Sequence, residues 1–509
     1  MNADMNWFAV LQHHAQRTPH KPLAIFGDDV VSYAGMVDRA TTFAGGLHDR
    51  GVGAGDVVGL LSYNNIEFLT TLFAANYLGA IAMPLNWRLA AAELHFILDH
   101  SQARALVSDE TLVQLANDAI SGLESDLVRV CITEPSVAGW ERFADVTGST
   151  PFPPASTAGD DIHRLMYTSG TTGRPKGVML THANLAWKNF AHITEFGLTP
   201  NDVGLACGPL YHVGALDLTT TSMIAIGATT IIHRGFDAEQ VVDEIERSRV
   251  TTVWMAPSMV RGVLDLPGIE QRDLSSVRLL IGGGEKMPIP FIERLQRAFP
   301  KAWFADAYGL TETVSGDTFL DPESTRTKLG SVGRPCLYLE LDIWDEHGAS
   351  VAAGQPGEVV LRGPKVFKGY WRDPEATALA FAGGWFHTGD IGIVDDDGYL
   401  YIVDRLKDMI VSGGENIASS EIERVLYEHA AVIEAAVVGR PDDRWGEVPM
   451  AYVVVRPDTT TPDELIEHCR GQLAKFKVPK AVEFIDALPR NPSGKVLKRE
   501  LRDRTEEAK

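Results

Sequence analysis

Residues 167–177, Tyr-Thr-Ser-Gly-Thr-Thr-Gly-Arg-Pro-Lys-Gly, constrain this chain more than any other stretch. The glycines at 170, 173 and 177 let the backbone approach a ligand closely. Thr168, Ser169, Thr171 and Thr172 supply hydroxyls, and Lys176 a positive charge. A concave row of N–H groups beside one cation suits a polyphosphate. The spacing is not that of a Walker A loop, Gly-x-x-x-x-Gly-Lys-Ser/Thr. Gly177 stands where that loop places its magnesium-binding hydroxyl. Composition alone also fits an exposed Ser/Thr/Gly linker. Apolar Leu165-Met166-Tyr167 before the loop and Val178-Met179-Leu180 after it predict a strand–turn–strand element instead.

From about residue 30 to 360, strand-like apolar runs alternate with amphipathic helical ones. Glu239–Ser248 reads as a helix, with Val241, Val242 and Ile245 at helical spacing, and Val250–Met255 as a strand. Leu279–Ile281 predicts a strand turning through Gly282-Gly283-Gly284, followed by a helix over Pro288–Phe299 and an extended Ala302–Ala305. The alternation predicts an α/β fold with mixed or parallel sheets, whose ligands gather beyond the strand C-termini. After residue 400 the texture changes. Tyr399–Val403 reads as a strand, and the charged Asp404-Arg405-Leu406-Lys407-Asp408 follows. Ser420 with Glu423 reads as a capping box for a helix to about His429, and Thr461, Pro462 and Glu464 start another. At 509 residues two domains are expected. We place them at 1–403 and 408–509, with the boundary at 404–407.

A net charge of −22 argues against broad nucleic-acid or anionic-membrane binding, so a polyphosphate must be held by local groups. Cys131, Cys207, Cys336 and Cys469 are far apart and form no C-x-x-C pair, which fits buried thiols in a reducing compartment. Met1–Val10 lacks a signal-peptide pattern, and no apolar run of about 18 residues or more occurs. The cytoplasm is the expected location.

Six patterns follow one another in fixed order: Tyr167–Gly177; Pro209-Leu210-Tyr211-His212; Tyr308-Gly309-Leu310-Thr311-Glu312; Trp385-Phe386-His387-Thr388-Gly389-Asp390; Asp404-Arg405-Leu406-Lys407; and Asn491-Pro492-Ser493-Gly494-Lys495. From about residue 20 to 500 the chain resembles the adenylate-forming superfamily of acyl-CoA synthetases, luciferases and peptide-synthetase adenylation domains. The resemblance implies a large N-terminal domain of mixed sheets flanked by helices and a small mobile α+β C-terminal domain. It also implies ATP-dependent activation of a carboxylate, with ATP, magnesium and coenzyme A. A homodimer is implied at family level only.

That chemistry places an anionic nucleophile beside an anionic triphosphate, so the site must neutralise charge and align an in-line attack. The resemblance assigns Thr168, Ser169, Gly170, Thr171, Thr172, Gly173, Lys176 and Thr311 to the phosphates, and magnesium to Glu312. The nucleoside is expected between Gly283-Gly284-Glu285 and Asp306-Ala307-Tyr308-Gly309, with Tyr308 stacked on adenine. Asp390 is the expected ribose ligand, with Arg405 reaching the same nucleotide. Lys495 is expected to bridge the carboxylate and the α-phosphate. A rotation about Lys407 would then withdraw it and bring Ser412, Gly413 and Gly414 to line a pantetheine tunnel. His212 opens the acid site, whose walls are expected from Val213-Gly214, Ala256-Pro257, Ile281–Gly284, Ala307 and Thr313-Val314. Without the resemblance the residues read more plainly: Glu312 and Lys495 as solvated charges, Tyr308 as core, Asp390 as a turn residue and His212 as a loop histidine.

Amino-acid-activating relatives carry an aspartate where Gly214 stands, so an α-ammonium would lack a partner here. Asp217 faces either a polar substituent of the acid or a structural hydrogen bond. The small, apolar walls point to a fatty, aryl or alicyclic acid passed to coenzyme A. A stand-alone adenylation enzyme loading a separate carrier protein is the alternative, since no Gly-Gly-x-Ser site occurs. A luciferase-like oxygenase would differ in acceptor, and a nucleotide sensor would be expected to lack Lys495, Glu312 or Asp390. A serine hydrolase lacks its Gly-x-Ser-x-Gly elbow.

Overall fold

The structure, a computed structural model, describes residues 5–507 except 124–125, 149–151, 169–174, 285–286, 288, 406–407, 413–414, 443–444, 458 and 491–495. Its large domain is built on two extended sheets. In the eight-stranded one, Val57–Leu61, Ile81–Pro84, Ala103–Ser108 and Val128–Cys131 run parallel, and Ile162–Thr168 joins Ile81–Pro84 in the same sense. In the nine-stranded one, Thr229–Ile232, Val203–Ala206, Thr252–Met255, Leu279–Gly283 and Trp303–Tyr308 form the parallel centre. A four-stranded antiparallel sheet, which includes Gly357–Arg362, Phe386–Val394 and Leu400–Arg405, follows. The expected α/β class with mixed sheets is what the chain adopts.

Local sequence explains the elements. Helix Ala238–Ser248 buries Val241, Val242 and Ile245, and the Asp237 carboxylate accepts the Gln240 N–H at its start. The strand after it is Thr252–Met255, every residue of it buried, as a central parallel strand requires. The next helix is Ile289–Ala298, and the expected Ala302–Ala305 strand runs on as Trp303–Tyr308. Ile162–Thr168 and Lys176–Thr181 pair antiparallel, with Thr168 opposite Lys176, so both strands expected around the loop form, while its residues 169–174 lie outside the described ones.

Beyond residue 408 a small domain has its own sheet, with the long hairpin Val432–Asp442/Gly446–Val455 at its heart. Its packing is separate: clusters around Ile410, Ile422, Val437 and Leu465, and around Val438, Tyr452 and Leu501, contain no residue from before position 410. Thr461 caps helix Pro462–Arg470 through the expected box with Glu464. The other box is a correction. Helix Ser419–Tyr427 has Ala418 at its N-cap; Ser420 sits inside the helix and donates to the Val403 carbonyl, while the Glu423 carboxylate accepts the Val437 N–H at 2.8 Å. The pattern that suggested a local cap serves instead to join three elements. All four cysteines are buried and free. Among the described residues no helix is long and apolar enough to cross a membrane.

Candidate active site

The parallel strands of the nine-stranded sheet end at one cleft. It is lined by His212, Val213, Gly214, Leu218, Trp254, Gly283, Gly284, Ala307 to Thr311, Ser315 and Gly316. Thus His212, from the expected acid site, and Gly283, Gly284, Ala307, Tyr308, Gly309 and Thr311, from the expected nucleotide site, meet in space. Register enforces part of this: Gly283 lies opposite Ala307 and Gly282 opposite Asp306. A Cβ on Gly283 would stand 2.8 Å from the Ala307 carbonyl oxygen, so the two strands close here only around glycine. Asp306 is buried, and its carbonyl accepts the Leu320 N–H at 3.0 Å. Of the expected walls, Val213, Gly214, Gly283, Gly284 and Ala307 line the cleft. Ile281 and Val314 are buried in the main core, and Pro257 opens helix Pro257–Leu264.

Tyr308 and Asp390 come from different sheets and touch: the phenol donates to Asp390 Oδ2 at 2.7 Å. Burial first, then the Asp390 charge, pushes the Tyr308 phenol well above its ordinary range, so it stays a donor. Asp390 lies opposite Arg405 in the strand pair Phe386–Val394/Leu400–Arg405, which brings the Arg405 backbone alongside.

A second group gathers on the phosphate side. The Lys176 ammonium lies over the Tyr370 ring, 4.9 Å from its centre, and the Tyr370 hydroxyl donates to Glu312 Oε1 at 3.0 Å. Burial and the Glu312 charge both raise the Tyr370 phenol's pKa. Tyr370 reaches this place because Gly369–Tyr370 pairs with Lys176–Thr181. Sequence reasoning missed it, since only strand pairing brings the Gly369-Tyr370-Trp371 segment to the loop. Ser169, Gly170, Thr171, Thr172, Gly173, Glu285, Lys407, Gly413, Gly414 and Lys495 lie outside the described residues. Ser412 is buried in the small domain's sheet and is not among the residues lining the cleft.

The donor set fits magnesium. No group of three or more His, Cys, Asp or Glu placed to hold a metal ion exists among the described residues. One carboxylate, Glu312, stands instead between Thr311 and Thr313 and accepts the Tyr370 hydroxyl, whose ring Lys176 covers. Magnesium is commonly held by one or two carboxylates with substrate phosphates and water rather than by an all-protein cage.

Behind the cleft lies a buried polar layer. Arg164 and Asp217 form an ion pair with both side chains essentially inaccessible, 1% and 0% exposed. Asp217 therefore serves the structural role and does not face the acid. Lys188, fully buried, donates to the Asp217 carbonyl and to Thr221 Oγ1 at 2.7 Å. Burial pulls its ammonium down to about 7, against the attraction of Asp217. Nearer the cleft, Val314, Ser315 and Gly316 all take left-handed backbone, φ 57°, 64° and 63°. The buried Lys365 ammonium fastens that turn through the Ser315 and Gly316 carbonyls, at 2.8 and 2.5 Å, and pairs with Asp317 at 2.9 Å.

The AMP-binding enzyme family matches residues 11–371, and its C-terminal domain matches 421–495. The chain belongs to this family. A feruloyl-CoA synthase from Amycolatopsis sp. is 41% identical over 96% of this chain and 97% of its own length. An indoleacetate–CoA ligase from Aromatoleum aromaticum is 37% identical, covering 97% and 96%. The o-succinylbenzoate CoA synthetase of Bacillus subtilis, solved with its acyl-adenylate, superposes with a TM-score of 0.88 at 32% identity over 98% of both chains. A further structure of that synthetase holds ATP and a magnesium ion. The present AMP-binding enzyme is an AMP-forming acid–CoA ligase that uses ATP, magnesium and coenzyme A. It makes an acyl-adenylate, releases pyrophosphate and passes the acyl group to the thiol.

Tyr370→Phe tests the phosphate-side group. Losing the hydroxyl removes a hydrogen bond to a charged acceptor, worth about 1.5–3 kcal/mol. Pyrophosphate–ATP exchange at limiting magnesium should fall about tenfold or more. An unchanged magnesium dependence would show that Tyr370 does not orient Glu312.

Proposed function

We propose that the acid is an aryl carboxylate, with a planar ring close to its carboxyl group, and that the expected site residues carry the reaction. The single observation behind the acid class is the cleft itself, lined beside the nucleotide residues by His212 and Trp254 and by apolar Val213, Leu218 and Leu310. The feruloyl and indoleacetate relatives support it. Magnesium, held by Glu312 with the triphosphate, would neutralise charge on the phosphates. Lys176 and the loop amides of 169–173 bind the triphosphate's outer oxygens, with Thr168 and Thr311 as donors. Tyr308 supports the adenine, while Asp390, with Arg405, holds the ribose hydroxyls. His212 accepts the Gly214 N–H on Nδ1 at 3.1 Å, which leaves Nε2 as the protonated nitrogen of its neutral ring. Its ring borders the acid until the thiol enters.

Residues 404–407 are the proposed hinge between 1–403 and 408–509. Rotation there withdraws Lys495 after adenylation and brings Ser412, Gly413 and Gly414 to the pantetheine arm. Lys407→Pro fixes a φ that a hinge must change. It should leave pyrophosphate exchange intact and cut thioester formation by about tenfold or more; equal loss in both half-reactions counts against a hinge. A cytoplasmic homodimer belongs to the same proposal, and light scattering of the purified chain tests its second half.

The deciding experiment is a panel of carboxylic acids followed by AMP release, with coenzyme A, with a holo-carrier protein and without either. Aryl acids should be turned over only with coenzyme A. A preference for unbranched fatty acids would overturn the aryl reading.

A further inference from the structure

We propose that Trp254 caps the acid pocket and restricts this enzyme to short, ring-bearing acids; the inference rests on the aryl-acid reading. The indole comes from the end of the fully buried strand Thr252–Met255 and is itself only 5% exposed. It lies nearly parallel to the His212 ring, 25° between planes with centres 6.1 Å apart. Three glycines surround it. A Cβ on Gly208 would stand 2.7 Å from Cζ3, one on Gly214 would overlap the ring, and one on Gly284 would stand 4.0 Å away. The backbone on two sides is therefore stripped of side chains where the indole lies. The ring fills the space that those absent side chains leave and lines the cleft alongside His212.

What remains open is small. The cavity measures about 40 Å3, room for roughly three waters. An acid enters only as neighbouring side chains give way, and the indole, 5% exposed and packed against the Gly208 and Gly214 backbone, has little room to do so. A flat ring on a short spacer can lie along the indole face beside His212, as offset aromatic pairs do. A flexible chain of eight carbons has to displace it. In apolar pockets one methylene changes discrimination by roughly 10–200-fold, so a fixed wall gives a steep length limit.

The test compares kcat/KM for octanoate and for 3-phenylpropenoate, by AMP release with coenzyme A, in the wild type and in Trp254→Ala, Trp254→Leu and Trp254→Phe. The octanoate to 3-phenylpropenoate ratio should rise at least about tenfold in the alanine and leucine variants and stay near the wild-type value with phenylalanine. If either small variant still activates 3-phenylpropenoate with an unchanged ratio, Trp254 is not the cap, while the aryl-acid reading stands. If the wild type activates no aryl acid, that reading itself fails. The unaltered enzyme gives an independent measurement. Across straight-chain acids of four to ten carbons, kcat/KM should drop sharply at one length, and a smooth rise across the series overturns the cap.

Discussion

Lys495→Ala is expected to abolish acid-dependent exchange of pyrophosphate with ATP, a loss of about 10²–10³-fold or more. Preformed acyl-adenylate should still react with coenzyme A at close to the normal rate. The reason lies in the charge of the first step: a carboxylate must approach an α-phosphate that is itself negative, and only a cation between them makes that geometry favourable. Residues 491–495 fall outside the described structure, but the chain on both sides is fixed. Arg490 and Val496 form an antiparallel bridge, and the Leu497 N–H donates to the Pro489 carbonyl at 2.8 Å. Lys498, three residues on, is anchored to Glu423 at 2.7 Å. These contacts fasten the chain at 489–490 and at 496–498, on either side of the lysine proposed for adenylation. Exchange at near wild-type rate in the variant would remove Lys495 from adenylation. Equal loss in both half-reactions would point to a structural role.

The second large effect concerns stability. Asp217→Ala should destabilise the large domain by about 3–5 kcal/mol, the usual result of removing one partner from a buried ion pair. Arg164 would be left without its carboxylate, and Lys188 would lose the attraction that opposes its desolvation. The denaturant midpoint of the large domain reads the loss. Replacing both partners, Arg164→Met with Asp217→Leu, should recover part of it, because Arg164 then leaves no unpaired charge inside and only Lys188 is without its carboxylate. If the single variant unfolds at the wild-type midpoint, the pair contributes nothing to folding and its burial has another cause.

The sheets and the loop hairpin were legible because their signals are local. Apolar runs flank the loop at 165–167 and 178–180, and Val241, Val242 and Ile245 mark one helical face. The grouping of Tyr308, Asp390, Glu312 and Lys176 was legible only through the order of six motifs, since these residues come from three sheets and their linking segments. Tyr370 and Trp254 were not legible. Each acts through a partner far away in the chain, Glu312 in one case and the glycines 208, 214 and 284 in the other. A tyrosine beside a glycine, or a tryptophan in an apolar strand, carries no local sign of that. The Ser420/Glu423 pattern misled for the opposite reason: the local motif was present, but tertiary partners at Val403 and Val437 took both side chains.

The left-handed turn at Val314–Gly316 has a practical bearing on altering which acid is accepted. A β-branched residue at φ 57° is a backbone outlier, of a kind that costs about 1–3 kcal/mol and persists only where its surroundings hold it. Here the holding group, Lys365, is 1% exposed and is not itself among the residues lining the cleft. Libraries confined to visible lining positions would leave untouched the screw that sets the shape of one whole wall, whereas pairing changes at Ser315 with changes at 317 and 365 would let that wall be recast.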